Sequence, residues 1–556
     1  MNALRRSSGT VMVAVLAGAL LPGALGQEEP AEKQEMYKPM HAAVGGLDPR
    51  PYLHTLIKEG GNLTLEWQGL TPPYQVESTA SLNDPAWQMV GDPVAGNSLT
   101  VPADGDMAFF RVDGGTPYYV GAMVCGACHR GTHADWTETH HAHALDTLKN
   151  IGMDKNQRCL GCHVVGLGLP TGFVSTAQTP HLGGVQCENC HGPGGLHLSN
   201  VRDETLQPKV TLAAETCGGC HTDAHHPTYD EWLDSRHATM DEHVGEGFIE
   251  QGEARMAQCG ACHSGAVRMA MLKHWDELQS DPNAQLAYPT GEDAAYFTIE
   301  CAVCHNAHEA TEHAQLRNPR ASLKDFSYNT SSTTSFAEQY DPEVQLCAQC
   351  HNMRGATWSS SSRPPHHSVQ YNVLIGRGGV DPEDQQILRA HSMIDEQCAH
   401  CHTHGHEVDS PTEEDPNYTG HTFRPTFVGC VDCHGSEEVG ELLAEGAKLA
   451  TKSRMAGLVD LLNEWALTKA PEELRTKYGT LAWEYSNVGQ ISNPDGTVGP
   501  GPSSAEQAMI PDGIKQARFN LYLIEHDASY GIHNGAYTRR LIDIAKGMVQ
   551  AELAAP

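Results

Sequence analysis

The chain has 556 residues, enough for several domains, and a formal net charge of -33 at pH 7. An acidic excess of that size repels phosphate backbones and anionic headgroups, which argues against nucleic acid or an anionic membrane surface as a partner.

Residues 1–26, MNALRRSSGTVMVAVLAGALLPGALG, set Arg5 and Arg6 before an apolar run and end in Ala24-Leu25-Gly26. That is the pattern of a secretory signal peptide with a small-residue cleavage site. The run is short for a bilayer span. No other stretch is apolar enough to cross a membrane. The sequence therefore predicts an exported chain, periplasmic or extracellular, with no integral membrane segment after signal removal. Ser7-Ser8-Gly9 after the arginine pair departs from a twin-arginine signal and points to general secretion.

Residues 27–45 read as a polar lead-in. Residues 46–113 lack cysteine and alternate: Leu63, Leu65 and Trp67 face one way, as do Tyr74 and Val76, with turns at Thr71-Pro72-Pro73, Asn83-Asp84-Pro85 and Ala95-Gly96-Asn97. A period of two bounded by turn residues predicts a small all-β domain, a β-sandwich, with docking or spacing as its role. It loosely resembles the fibronectin-III-like modules of secreted bacterial proteins.

All 18 cysteines fall in nine CxxCH motifs. They are Cys125-Cys128-His129, Cys159-Cys162-His163, Cys187-Cys190-His191, Cys217-Cys220-His221, Cys259-Cys262-His263, Cys301-Cys304-His305, Cys347-Cys350-His351, Cys398-Cys401-His402 and Cys430-Cys433-His434. Disulfides, zinc ribbons and thiol redox sites all use cysteine pairs, but none requires a histidine after every second cysteine. Thioether attachment of haem c does: both thiols add to the vinyl groups and the adjacent imidazole reaches the iron. Nine motifs with no cysteine left over predict nine covalent haems. At about one per 34 residues across 125–434, the porphyrins form the core and short helices and loops wrap them.

Nine of the 33 histidines are thereby proximal ligands, and the other 24 include the sixth ligands. Trp136-(x)4-His141-Ala142 recurs as Trp232-(x)4-His237-Ala238, each after a CxxCH, and marks His141 and His237 as distal ligands. His197 in CHGPGGLH and His308 in CHNAH sit just past a motif. His391 precedes Cys398, His421 precedes Cys430, and His533 lies far downstream in GIHN. His367 completes eight candidates for nine irons. Paired imidazoles give low-spin, saturated iron at fairly low potential.

Residues 435–556 carry no CxxCH and read as helical. Leu442, Leu449, Leu458, Leu461, Leu462 and Trp465 recur at helix spacing, and Pro471 starts a second helix. A Gly/Pro loop covers 489–511. Asp512 precedes a helix bearing Ile514, Leu521 and Ile524, and Tyr537, Leu541, Ile544 and Met548 line the last one.

Residues 117–240, from YYVGAMVCGACH through CENCHGPGGLH to WLDSRHATM, resemble the tetrahaem cytochrome c family that serves hydroxylamine oxidoreductase. Residues 255–434, with the ending ARFNLYLIEHDASYGIHNGAYTRRLIDIA, resemble the pentahaem ammonia-forming nitrite reductases and their octahaem relatives. The resemblance implies a four-haem module over 117–250, a five-haem module over 251–434 and a C-terminal helical segment over 435–556. The implied fold class is a mainly α and irregular multihaem cytochrome c with a haem-filled core. It also implies that a catalytic haem, where one exists, is that of Cys259, Cys262 and His263. Local pattern gives this haem no distal ligand, although Met269, Met271, Lys273 and His274 lie nearby. The sequence departs from the reductase pattern in keeping His263 where those enzymes carry lysine. It also has Asn352-Met353-Arg354 after Cys350-His351, where they place a tyrosine. The His-x-x-Gln-Tyr at His367-Gln370-Tyr371 matches their distal pocket, making His367 a candidate catalytic acid as well as a candidate ligand.

Three readings follow. The first is electron transfer through closely packed bis-His haems, to a basic or dipolar redox partner. The second is oxidoreductase chemistry on nitrite, hydroxylamine or a sulfur oxyanion at the Cys259/Cys262/His263 haem. The third is an oligomer, as a subunit of an extracellular cytochrome filament.

Overall fold

The computed structural model describes the strands and adjoining turns of the first 115 residues, and residues 118–556 apart from 275–296, 318–345 and a few short gaps. The polar lead-in at 27–45 and most of 1–26 lie outside the described residues. Contacts divide the chain into two compact units: Met1–Asp230 with Glu300–Leu316 and Ser410–Pro416, and Glu231–Ile299 with Arg317–Asp409 and Asn417–Pro556. The sixth CxxCH, at Cys301, thus belongs by contact with the first four.

The first unit opens with β1 (Gly9–Thr10), β2 (Val13–Leu16), β3 (Tyr52–Glu59), β4 (Asn62–Gln68), β5 (Thr71–Thr79), β6 (Gln88–Met89), β7 (Ser98–Pro102) and β8 (Met107–Gly115). One sheet runs β3-β4-β7; the other runs β1-β8-β5-β6, with β2 also on β8. Alternation places Leu63, Leu65 and Trp67 of β4 against Tyr74, Val76, Val101, Phe110 and Val112 in one buried cluster. Trp67 and Tyr74 meet edge to face at 5.5 Å. β1 and β2 come from the stretch read as a signal peptide and pair antiparallel with β8.

After residue 118 the backbone is short helices joined by irregular loops. Three CxxCH motifs lie wholly within one short helix, in Gln157–His163, Cys187–His191 and Cys398–His402, and that of Cys430 joins the turn Phe427–Cys430 to Val431–His434. Positions i, i+3 and i+4 share one helix face, so one turn presents both thiols and the imidazole on the same side. Apolar clusters here are small, such as Phe248, Met256, Ala261, Val267 and Met271.

The second unit ends in a helical block: α1 (Glu437–Thr468), α2 (Glu472–Tyr478), α3 (Asp512–Asp527) and α4 (Gly535–Ala554). Ser436 caps α1 by accepting from the Val439 amide, and Pro471 leads into α2. Leu458, Leu462 and Trp465 of α1 join Ile514, Leu521 and Ile524 of α3 and Tyr537, Leu541 and Val549 of α4 in the largest buried cluster. Leu442 and Leu449, expected on the same stripe, are instead 72% and 74% exposed. On α4 the buried line is Tyr537, Leu541, Ile542, Ala545 and Val549, with Ile544 and Met548 at its margin. Inside the block, the buried Arg518 donates to the carbonyls of Trp483 and Glu484 and to Gln507 Oε1, and lies 4.0 Å over the Tyr485 ring. The Glu484 carboxylate accepts from Tyr522 and Ser492, each at 2.6 Å.

Leu458→Ala is expected to cost about 2–5 kcal/mol through the cavity it leaves, read as a lower denaturation midpoint. Leu442→Ala on the exposed end of the same helix is expected to shift stability by less than about 0.5 kcal/mol.

Candidate haem-binding sites

The attachment motifs lie side by side. Thiols of different motifs hydrogen-bond in five places: Cys125 with Cys187, Cys162 with Cys220, Cys217 with Cys301, Cys262 with Cys350, and Cys347 with Cys398. The bond from Cys125 draws the Cys187 thiol down to about 7 and pushes Cys125 up. A thioether carries no such proton, so these shifts mark adjacency.

Among the described residues, six proximal histidines face a second imidazole from another part of the chain. An iron held between two imidazoles at the ~2 Å usual for metal–nitrogen bonds separates the ring centroids by roughly 6 Å. The centroids are 6.1 Å apart for His221 and His141, 6.1 Å for His191 and His308, and 6.2 Å for His351 and His237. They are 5.9 Å apart for His263 and His366, 6.3 Å for His434 and His391, and 6.4 Å for His402 and His533. Chain neighbours such as His221 and His226, or His400 and His404, reach similar spacing. Distance alone is therefore not diagnostic. The six pairs differ in that each joins a CxxCH histidine to one remote in sequence.

At six of these imidazoles burial favours the neutral form that binds metal. Burial lowers His237 and His366 to about 4, with His351 adding to the first and Arg354 and His263 to the second. Burial likewise lowers His141, His191, His351 and His402. His533 goes the other way: burial opposes its charge, but Asp527 outweighs burial and raises it.

Hydrogen bonds at Nδ1 aim several rings. Nδ1 of His163 bonds the Ala144 carbonyl at 2.6 Å, that of His305 the Ala314 carbonyl at 2.8 Å, and that of His402 the Phe423 carbonyl at 2.9 Å. His391 Nδ1 bonds the Ile532 carbonyl at 2.6 Å. With Nδ1 occupied, Nε2 is left as the ligating atom. His129 stands at the N-cap position of the helix Arg130–Thr137 with no side-chain capping bond.

The tryptophan echo is a repeated clamp. Trp136 Nε1 donates to the Val185 carbonyl at 3.2 Å, and the Val185 amide donates to the His141 carbonyl. Trp232 Nε1 donates to the Ile299 carbonyl at 3.1 Å, and the Ile299 amide donates to the His237 carbonyl. Val185 and Ile299 each stand two residues before a CxxCH, at Cys187 and Cys301. The next residue repeats as well: the Gln186 and Glu300 side chains accept from the amides of Ala122 and Ala214, each three residues before an earlier motif. The clamp thus fixes a histidine-bearing segment to the start of a neighbouring attachment turn.

The other three sequence candidates have the following surroundings. His197 lies on the helix Gly195–Ser199, its Nδ1 buried with no hydrogen-bond partner among the described residues. His421 bonds Thr419 through Nδ1 and packs on Phe423 at 5.8 Å. His367 is exposed and stacks on the buried His526 at 3.8 Å, while its neighbour His366 faces His263. The His-x-x-Gln-Tyr spacing selects His367, and only the fold distinguishes the two adjacent histidines. Of the residues near His263 considered from sequence, Met271 is buried with Phe248, Met256 and Val267. Arg268 on the same helix is buried and donates to Gln349. The donor set, two thiols and one imidazole on a turn with a second imidazole opposite, fits covalent haem. His197 Nδ1 is a further buried atom that such a group would satisfy.

Among the described residues no helix is long and apolar enough to cross a membrane. Residues 124–192 and 346–435 match the family model described as cytochrome c554 and c-prime. Cytochrome c-554 of Nitrosomonas europaea is 35% identical over 134 residues, 18% of this chain and 57% of that protein. The chain therefore spans little more than half the length of that relative. The multiheme cytochrome MtrA of Shewanella baltica is 23% identical over 43% of this chain and 73% of its own. Among solved structures, the outer cell wall cytochrome OcwA aligns at TM-score 0.47 and 16% identity, covering 78% of this chain and all of that one. The family match and both curated relatives are cytochromes, and with its nine CxxCH motifs the chain is similar to multihaem c-type cytochromes.

Proposed function

We propose that this chain is an exported nona-haem c-type cytochrome that relays electrons through closely packed, mostly bis-His haems. One observation carries the reading: six CxxCH histidines each face a remote imidazole at 5.9–6.4 Å. Each turn supplies two thiols for thioether bonds and one ligand, and the opposite histidine closes the iron. Haem supplies one-electron chemistry at iron. The chain supplies anchors, axial ligands and exclusion of water. The contacts between Cys125 and Cys187, Cys217 and Cys301, and Cys347 and Cys398 support close spacing of neighbouring sites. Export through residues 1–26 places the protein in the periplasm or outside the cell, where haem c is attached. Its acidity suits a basic or dipolar redox partner, with docking weakened by salt.

Enzymatic turnover at the Cys259/Cys262/His263 site requires an open iron. His366, 5.9 Å from His263, argues for a closed one. Arg354, Arg363 and His367 around His366 repel a positive charge there and so favour its neutral, iron-binding form.

The mass of the mature protein is expected to correspond to nine haems, and the oxidised protein to show only low-spin ferric signals in electron paramagnetic resonance. A high-spin signal worth about one haem in nine would instead establish an open site, and with it the oxidoreductase reading. His366→Ala is expected to create such a signal, whereas His367→Ala leaves the spectrum low-spin; the reverse pattern would make His367 the ligand.

A further inference from the structure

His533 lies in the turn between α3 and α4, where the chain reverses sharply. Ala528, Tyr530 and Gly531 all adopt positive φ, at 60°, 49° and 100°. The turn folds Asp527 back under the histidine. His533 Nδ1 donates to Asp527 Oδ1 at 2.5 Å, and Ser529 Oγ donates to Asp527 Oδ2 at 2.5 Å. The His533 amide donates to Ser529 Oγ at 3.1 Å, closing the loop. The Asp527 side chain is 1% exposed.

The opposite ring differs in kind. His402 gives its Nδ1 proton to a backbone carbonyl, as His391 does, and His366 Nδ1 meets the Ser368 hydroxyl at 3.0 Å. Of these four paired histidines, His533 is the one bonded to a carboxylate. A carboxylate is the stronger acceptor and pulls the Nδ1 proton toward itself, giving the imidazole imidazolate character and greater donor strength at Nε2. A stronger axial donor stabilises ferric over ferrous iron, and a buried negative charge nearby acts in the same sense.

We propose that Asp527, acting through His533, lowers the reduction potential of the haem carried by Cys398, Cys401 and His402 below those of its neighbours in the second unit. The inference rests on the bis-His relay reading and assigns Asp527 as a positioning and tuning residue. One electron converts Fe(III) to Fe(II) there, and the proton stays within the Nδ1–Oδ1 hydrogen bond. The Cys398 thiol meets that of Cys347, and Cys401 lies beside Cys430. The tuned haem is therefore the middle one of three, and the relay crosses an uphill step between the seventh and ninth sites. That haem is the last of the three to be reduced and the first to be reoxidised.

The test is a redox titration of the full-length, haem-loaded protein followed by electron paramagnetic resonance. Asp527→Asn is expected to move one of nine low-spin signals to higher potential and leave the other eight in place, with Asp527→Glu restoring it. Ser529→Ala removes a competing donor from the carboxylate and is expected to move the same signal to lower potential. Opposite shifts from these two variants are not produced by loosened packing, and Ser529→Ala keeps the test alive if Asp527→Asn does not fold. Unchanged potentials in both variants would overturn the inference, as would shifts of the same sign. A high-spin signal in Asp527→Asn would also overturn it, leaving Asp527 as a purely structural support. Haem count and spin state of the unmodified protein, measured on the same preparation, report separately on the relay reading.

Discussion

On the relay reading, an imidazole pair spanning one iron is the constraint on which the rest of this architecture depends. Its two halves are specified differently. The proximal half is local, because a CxxCH written on one helical turn puts thiols and imidazole on a single face. The distal half must be delivered from elsewhere, and the deliveries tie the chain together: His308 to His191, His237 to His351, His533 to His402. Each ligand bond would thereby close a long loop, with the stabilising effect of a cross-link. The duplicated tryptophan clamp shows how a delivery is made rigid. Its hydrogen bonds run through backbone carbonyls and amides, so they hold the His141 and His237 segments whatever side chains surround them.

The distribution of apolar burial fits this arrangement. The largest cluster of buried side chains gathers α1, α3 and α4, where no CxxCH occurs. Through the motif-bearing residues the clusters shrink to a handful, such as Ala348, Tyr371, Leu374 and Ile375. Loops of this length cost conformational entropy that so few apolar contacts do not offset. A large apolar group outside the polypeptide resolves the deficit, and nine porphyrins are that group on the relay reading. The C-terminal helices then have two roles. They form a conventional core of their own, and their α3–α4 turn presents His533.

The parts of this protein written in short-range pattern were legible in sequence. The alternation of Leu63, Leu65 and Trp67 identified the β region, and the helix spacing of Leu458, Leu462 and Trp465 identified α1. The tryptophan–histidine repeat pointed to segments that the fold does hold by matching hydrogen bonds. What pattern missed was set by long-range packing. Leu442 and Leu449 continue the α1 stripe in sequence, yet the helix outruns the block it packs against and leaves them exposed. His366 and His367 are indistinguishable as neighbours in a chain; stacking on His526 takes one of them and facing His263 takes the other. The Asp527–His533 bond depends on three residues at positive φ within one turn, Ala528, Tyr530 and Gly531, which Asp-Ala-Ser-Tyr-Gly does not announce by composition alone.

Charge acts on two separate levels in such a molecule, and screening separates them. The net charge of -33 resides mostly on exposed carboxylates, whose influence fades over a Debye length of about 8–10 Å at moderate salt. It therefore governs encounter with a partner more than the energy of an electron inside. Buried charges are screened far less. On the relay reading, Asp527 would favour the ferric state at the haem of His402; Arg268, 3% exposed and beside Cys262 and Cys350, would favour the ferrous state of a haem held there. On the relay reading, two buried residues of opposite sign within one unit would shift the potentials of different irons in opposite directions. The gradient along the relay is then set by single side chains, and the acidic surface can vary without disturbing it.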